Sequence, residues 1–303
     1  MTEKIVVTDV GPRDGLQNQP KILSVDERLQ LIGTLGNAGV ANIEVGSFVS
    51  PKAVPAMAGT DSVVAQLLEG GTQHYTALIP NMKGYELARA AGARSVTMVL
   101  YASEGMANKN VNMSLTQADD VTADILACAR ADGIEVIATI SVAFACPFDG
   151  PTEPGIVLRS ADKFLSLGAD YVVIADTIGA ANPQQVRKLT ADLVAAHGAA
   201  QLGCHFHDTR AMGLANVYAA LESGIRRFDA SIAGLGGCPF APGASGNVAT
   251  EDLVMMVEQM GFDTGIDLVA LLTASDLAQQ LTGTAPGGRA KAWLQPWLEK
   301  QAS

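Results

Sequence analysis

The sequence predicts an α/β chain closed into a (β/α)8 barrel, and three observations carry that prediction. Short apolar runs rich in β-branched residues recur eight times along the 303 residues. Each run is followed by a polar turn and an Ala/Leu-rich stretch with helical periodicity. No linker-like or low-complexity segment interrupts the alternation. Eight strands alternating with helices in a chain of this length fit a parallel barrel. A doubly wound open sheet would give the same rhythm, but strand count and length favour closure.

The strands read as 4–10 (KIVVTDV), 42–47 (NIEVGS), 74–80 (HYTALIP), 95–102 (SVTMVLYA), 135–144 (EVIATISVAF), 171–177 (YVVIADT), 202–208 (LGCHFHD) and 227–235 (RFDASIAGL). Between them, one helix starts at Ser24, a side chain suited to an N-cap, and ends at Gly39. Another is expected to start at Thr116 and stop at Gly133, and a third at Asn182 with Pro183 in its first turn. The triplets Ala91-Gly92-Ala93, Leu167-Gly168-Ala169 and Ser223-Gly224-Ile225 read as helix ends leading into the next strand. Two further helices, DLVALLTASDLAQQLTG and AKAWLQPWLEK, follow Gly261. The expected organisation is one domain over 1–303, a barrel to about 265 with a C-terminal helical extension over 266–303.

Hydrophobic residues make up 48% and charged residues 17% of the chain, enough apolar material for a large core. The net charge of −11 argues against nucleic acid and against an anionic membrane surface as partners. The opening MTEKIVVTDV lacks a basic leader with an apolar core, and Cys128, Cys146, Cys204 and Cys238 form no C-x-x-C pair. A reducing, cytoplasmic setting is the expectation.

In a barrel of this kind, functional side chains gather at the carboxyl ends of the strands. Polar residues cluster there: Arg13, Asp14 and Gln17 after strand one, Glu44 on strand two, Asp176 and Thr177 on strand six, and His205 and His207 on strand seven. Residues at i and i+2 on a strand face the same way. His205 and His207 are therefore expected at the mouth, with Phe206 toward the helices. A histidine pair alone is as readily a hydrogen-bonded surface pair. With Asp14 and Asn247 at the same rim, a metal ion becomes the favoured reading. Nitrogen and oxygen donors without a thiolate suit Mg²⁺ or Mn²⁺ at least as well as Zn²⁺. The glycine-rich segment 234–247 reads as a closing loop that carries Cys238 toward the chemistry. The other three cysteines read as structural.

The stretches VGPRDGLQNQ, EVGSFVSPK, ADTIGAANP, HFHDT and AGLGGCPFAPGASGNVATEDLV together resemble the 3-hydroxy-3-methylglutaryl-CoA lyase family, within the metal-dependent TIM-barrel lyases and Claisen-type synthases. The resemblance runs from about Val6 to about Leu268. It implies a metal held by Asp14, His205, His207 and Asn247. It also implies an enolate-stabilising Arg13, proton transfer by Cys238 with His205, and supporting roles for Glu44 and Asp176. Gln17, Ser47 and Glu251 match substrate-site positions. The implied reaction is a retro-Claisen cleavage of a 3-hydroxyacyl-CoA, and a homodimer is the implied assembly. Three features depart from the family pattern: Arg210 stands where an aromatic residue is commoner, the tail LTGTAPGGRAKAW lacks the usual polar-basic pattern of the CoA contacts, and Gly46 precedes Ser47 in place of a larger residue. Arg289 and Lys291 read as solvated surface charges rather than CoA-phosphate ligands. The rivals are a related lyase with another acyl group, a Claisen-type synthase, a metal-dependent hydrolase barrel, and a binding protein that keeps its metal without turnover.

Overall fold

The computed structural model describes residues 2–70, 72–237, 246–285 and 287–301. Eight parallel strands close a barrel in which each pairs with its sequence neighbours and the first pairs with the last. They are β1 (Val6–Asp9), β2 (Asn42–Ser47), β3 (His74–Ile79), β4 (Ser95–Tyr101), β5 (Glu135–Ser141), β6 (Tyr171–Asp176), β7 (Leu202–Phe206) and β8 (Arg227–Ala230). Their outward faces pack against the surrounding helices in one large apolar core. Closure of the sheet removes every edge, so the ladder groups are paired around the barrel.

Helices form where the caps and periodicity direct. In α1 (Val25–Asn37), the Ser24 hydroxyl accepts the Glu27 N–H while the Glu27 carboxylate accepts the Ser24 N–H. The helix read as starting at Thr116 starts one turn-fragment earlier: α2 (Leu115–Asp132) is capped by Ser114, because the Ser-x-x-Gln spacing lets Gln117 complete a reciprocal pair. α3 (Pro183–His197) has the expected Asn182 cap. Of the two C-terminal helices, α4 (Leu268–Thr282) starts at an Asp267 cap and packs on α1, and α5 (Lys291–Gln301) follows.

Several strands end sooner than the apolar runs suggest. β5 stops at Ser141 because Val142 turns the chain at φ +54. β8 stops at Ala230, and Ala233 at φ +59 and Gly234 at φ +63 carry the chain out of the sheet. A small antiparallel ladder, Ala145–Cys146 with Gly150–Pro151, follows β5 and lies outside the barrel alternation. Lys291 is also not the surface charge its composition suggests: it is buried, with its ammonium 2.7 Å from Asp276. Arg289 is exposed and paired with Asp208 at 2.8 Å.

Candidate metal centre at the barrel mouth

Four local devices assemble the site. The chain leaves β1 through a single wide turn, Gly11–Gly15, with Pro12 at its start, and this turn carries Arg13 and Asp14 over the barrel mouth. β2 contains a register shift against β3 between Glu44 and Gly46. Residues three apart on a regular strand face opposite ways; the bulge turns both Glu44 and Ser47 inward. Gly46 is explained by the same bulge. A Cβ there would lie 2.5 Å from the Arg28 guanidinium, which donates to the Val45 carbonyl at 3.0 Å. β7 supplies His205 on its inner face and His207 follows its last residue on the same side, while Phe206 packs outward beside Phe144. Lastly, the segment after the glycine loop folds back antiparallel on β7, pairing His207 with Asn247. Asp208 N–H donates to Gly246 at 3.0 Å, and Val248 N–H donates to Phe206 at 3.1 Å.

Asp14, His205 and His207 are buried and offer ligand atoms all within 4.8 Å of one another. The two imidazole centroids are 5.1 Å apart. One Asp14 oxygen accepts from Arg13 at 2.7 Å and Gln17 at 2.8 Å, and the other from Asn247 at 2.7 Å. Arg13 also donates to the buried Glu44 carboxylate. His205 Nδ1 lies 3.2 Å from Asp229, leaving its other nitrogen for the site. Around this cluster, Asn247 Oδ1 and His207 Nδ1 are buried without a hydrogen-bond partner. Interior polar atoms are almost always paired, so these orphans beside a carboxylate and two imidazoles fit a divalent cation held by nitrogen and oxygen donors.

The electrostatics agree with that fit. Burial pushes the Asp14 carboxyl up, but Arg13, both imidazoles and the Asn247 bond outweigh it and hold it at about 2. Burial and the neighbouring His205 press His207 down to about 4, so it presents a neutral, electron-donating ring. Burial also lowers His205, yet the Asp229 carboxylate overrides it and the net shift is upward.

The remaining sequence-derived residues fall as follows. Gln17 and Ser47 line a cavity of 630 Å³ that opens from Arg13, Asp14 and His207 across the rims of β2, β3 and β4. The Ser47 hydroxyl is buried and unpartnered. Asp176 ends β6 and accepts the Ala180 N–H at 2.7 Å and the Ala181 N–H at 3.1 Å; burial raises it to about 6 despite those bonds. Arg210 braces the same loop, donating to the carbonyls of Gly179 at 2.7 Å and Ala181 at 3.1 Å. Glu251 is not brought to the mouth. It is fully buried, and its oxygens accept from Ala233 N–H, Ser275 and Gly288 N–H. Cys238 lies outside the described residues. Gly236, just before it, sits at φ +120, where a Cβ would come within 2.5 Å of Asn247. Asp229 is the residue that the pattern reading missed. Its signal was present: it shares the inward parity of Arg227 on β8.

Comparison with known proteins places this architecture within one family. The HMGL-like family model matches residues 4–278. The hydroxymethylglutaryl-CoA lyase of Pseudomonas mevalonii is 43% identical over 288 residues, covering 95% of this chain and 96% of that one. The (R)-citramalyl-CoA lyase of Chloroflexus aurantiacus is 43% identical over 284 residues, covering 90% of each. A solved hydroxymethylglutaryl-CoA lyase of Acinetobacter baumannii, in complex with coenzyme A and 3-methylmalate, superposes with a TM-score of 0.90 at 40% identity, covering 95% of this chain and 94% of that one.

Proposed function

Because the chain belongs to the HMGL-like family, we propose that it is a carbon–carbon lyase that cleaves 3-hydroxy-3-methylglutaryl-CoA to acetyl-CoA and acetoacetate by retro-Claisen chemistry. One observation carries the reading: Asp14, His205 and His207 converge beneath Arg13, beside the unpaired Asn247 oxygen.

Asp14, His205, His207 and Asn247 would hold the divalent cation, Mg²⁺ or Mn²⁺ ahead of Zn²⁺. When bound, such an ion supplies Lewis acidity toward the hydroxyl and acyl oxygens of the substrate. The rest is done by the chain. With Nδ1 turned to Asp229, His205 has one nitrogen left, which serves a cation or a proton but not both. The hydroxyl proton is assigned, through a water, to His205 or Asp176. As the carbon–carbon bond breaks, charge moves onto the thioester oxygen. Arg13, held by Glu44, offsets it without reorganising. Cys238 then gives a proton to the enolate carbon. Gln17 and Ser47 meet the substrate in the cavity.

The relatives support an acyl-CoA partner, and the same reading puts the enzyme in leucine degradation as a cytoplasmic homodimer. Among the described residues no helix is long and apolar enough to cross a membrane. A related 3-hydroxyacyl-CoA is the second reading, favoured by the equal identity to the citramalyl-CoA lyase. A coupled assay of acetyl-CoA release with 3-hydroxy-3-methylglutaryl-CoA, citramalyl-CoA and analogues tests both. Release from the first substrate at the highest kcat/KM is expected; no release from any substrate in the presence of Mg²⁺ or Mn²⁺ would overturn the proposal.

A further inference from the structure

We propose that Tyr101 determines which acyl group this lyase accepts, an inference that rests on the reading above and deepens it. Tyr101 ends β4 and lines the 630 Å³ cavity together with Arg13, Asp14 and His207. Its ring is 7% exposed, packed with Met106, Ala107, Val142 and Cys146. Its hydroxyl oxygen accepts from Asn110 Nδ2 at 2.7 Å. That bond uses a lone pair and leaves the phenolic hydrogen free to donate. Burial pushes the phenol up to about 12, so the hydrogen stays in place at neutral pH.

The wall behind the ring is stiff. Val142, at φ +54, holds a conformation that a β-branched residue rarely adopts. It is pinned on both sides: its N–H donates to Thr177 Oγ1 at 2.9 Å, and its carbonyl accepts from Thr152 Oγ1 at 2.6 Å. With the ring packed on Val142 and the hydroxyl tied to Asn110, Tyr101 has little room to swing aside.

The cavity chemistry says what this wall reads. Arg13 is the one cation among its described lining residues, and it is committed to Glu44 and Asp14. A carboxylate on the acyl half must then find neutral donors, of which Tyr101 and the unpartnered Ser47 hydroxyl are two. The same cavity lining includes the apolar side chains of Val99, Met106, Val111 and Met113. The ring therefore caps the apolar branch on the carbinol carbon while its hydroxyl meets the carboxylate arm. The substrate class it selects is a 3-hydroxyacyl-CoA with a short carboxylate arm and a small alkyl group.

The test is the ratio of kcat/KM for two substrates, 3-hydroxy-3-methylglutaryl-CoA and a 3-hydroxyglutaryl-CoA carrying a longer alkenyl chain at carbon 3. Tyr101→Ala is expected to move that ratio toward the longer chain by about tenfold or more. Tyr101→Phe is expected to keep the ratio and raise KM for the methyl substrate by about five- to tenfold at little changed kcat, the mark of a lost binding contact. Should Tyr101→Ala not fold, Tyr101→Leu preserves apolar packing and gives the same size reading. A parental ratio in the folded Ala or Leu variant, with a parental KM in Tyr101→Phe, overturns the inference and leaves the lyase reading standing. A parent enzyme that cleaves neither substrate nor citramalyl-CoA overturns both.

Discussion

Two buried carboxylate clusters share the carboxyl end of this barrel, and they are built in opposite ways. Asp14 sits among cationic and imidazole groups that hold it ionised, while neighbouring Asn247 Oδ1 and His207 Nδ1 go unpaired. Asp9 and Glu251 sit among neutral donors. Asp9 accepts from Gly11 N–H at 2.8 Å and Thr250 at 2.6 Å; Glu251 ties the turn after β8 to α4 and to the segment before α5. Burial raises Asp9 to about 7 and raises Glu251 as well. The first cluster leaves bonding capacity unspent in the interior, which is what a ligand site requires. The second spends it on backbone N–H groups and on the Thr250 and Ser275 hydroxyls, which is architecture.

That contrast can be broken in four ways. Chelation should take turnover to background, with recovery on adding Mg²⁺ or Mn²⁺; undiminished rates in chelator would remove the special status of the Asp14 cluster. Arg13→Met should keep the fold by circular dichroism and lose roughly a thousandfold in kcat, the scale for deleting one preorganised charge donor. Near-normal turnover would refute its role.

Glu251→Ala should do the reverse. Three donors are left unpaired in the interior, a cost of about 3 kcal/mol in urea unfolding, with KM for acyl-CoA little changed. A large rise in KM at parental stability would place Glu251 on the substrate after all. The smallest effect concerns pH. The folded pKa of Asp9, about 7, lies above its unfolded value, so the folded state binds the extra proton. Its contribution is full below the unfolded pKa and fades as pH rises through the folded one. From about pH 5 to about pH 7 the parent should lose about 2 kcal/mol through this group, and Asp9→Asn should flatten the slope. Equal slopes in parent and variant would show that Asp9 is ionised in the fold.

The legible parts were those set by local period and punctuation. All eight strands lie where the apolar runs placed them, because a half-buried strand must alternate and a following helix must carry its caps. His205 and His207 share a face for the same reason. Where a run overshot, as at Val142 and after Ala230, a non-glycine residue at positive φ ended the strand, and composition carries no mark for that. Lys291 is buried because Asp276 on α4 reaches it, a pairing with no signature in the chain.

By itself the sequence determined the barrel, the motif-bearing rim and the identity of the donors, since these follow from residue type and spacing. Only the tertiary structure decided how they meet. The β2 bulge aims Glu44 and Ser47 together, the fold-back onto β7 delivers Asn247 to Asp14, Asp229 orients His205, and Glu251 is withdrawn from the mouth. Each depends on contacts between segments far apart in the chain, where register and burial, not local preference, set which atoms come within reach.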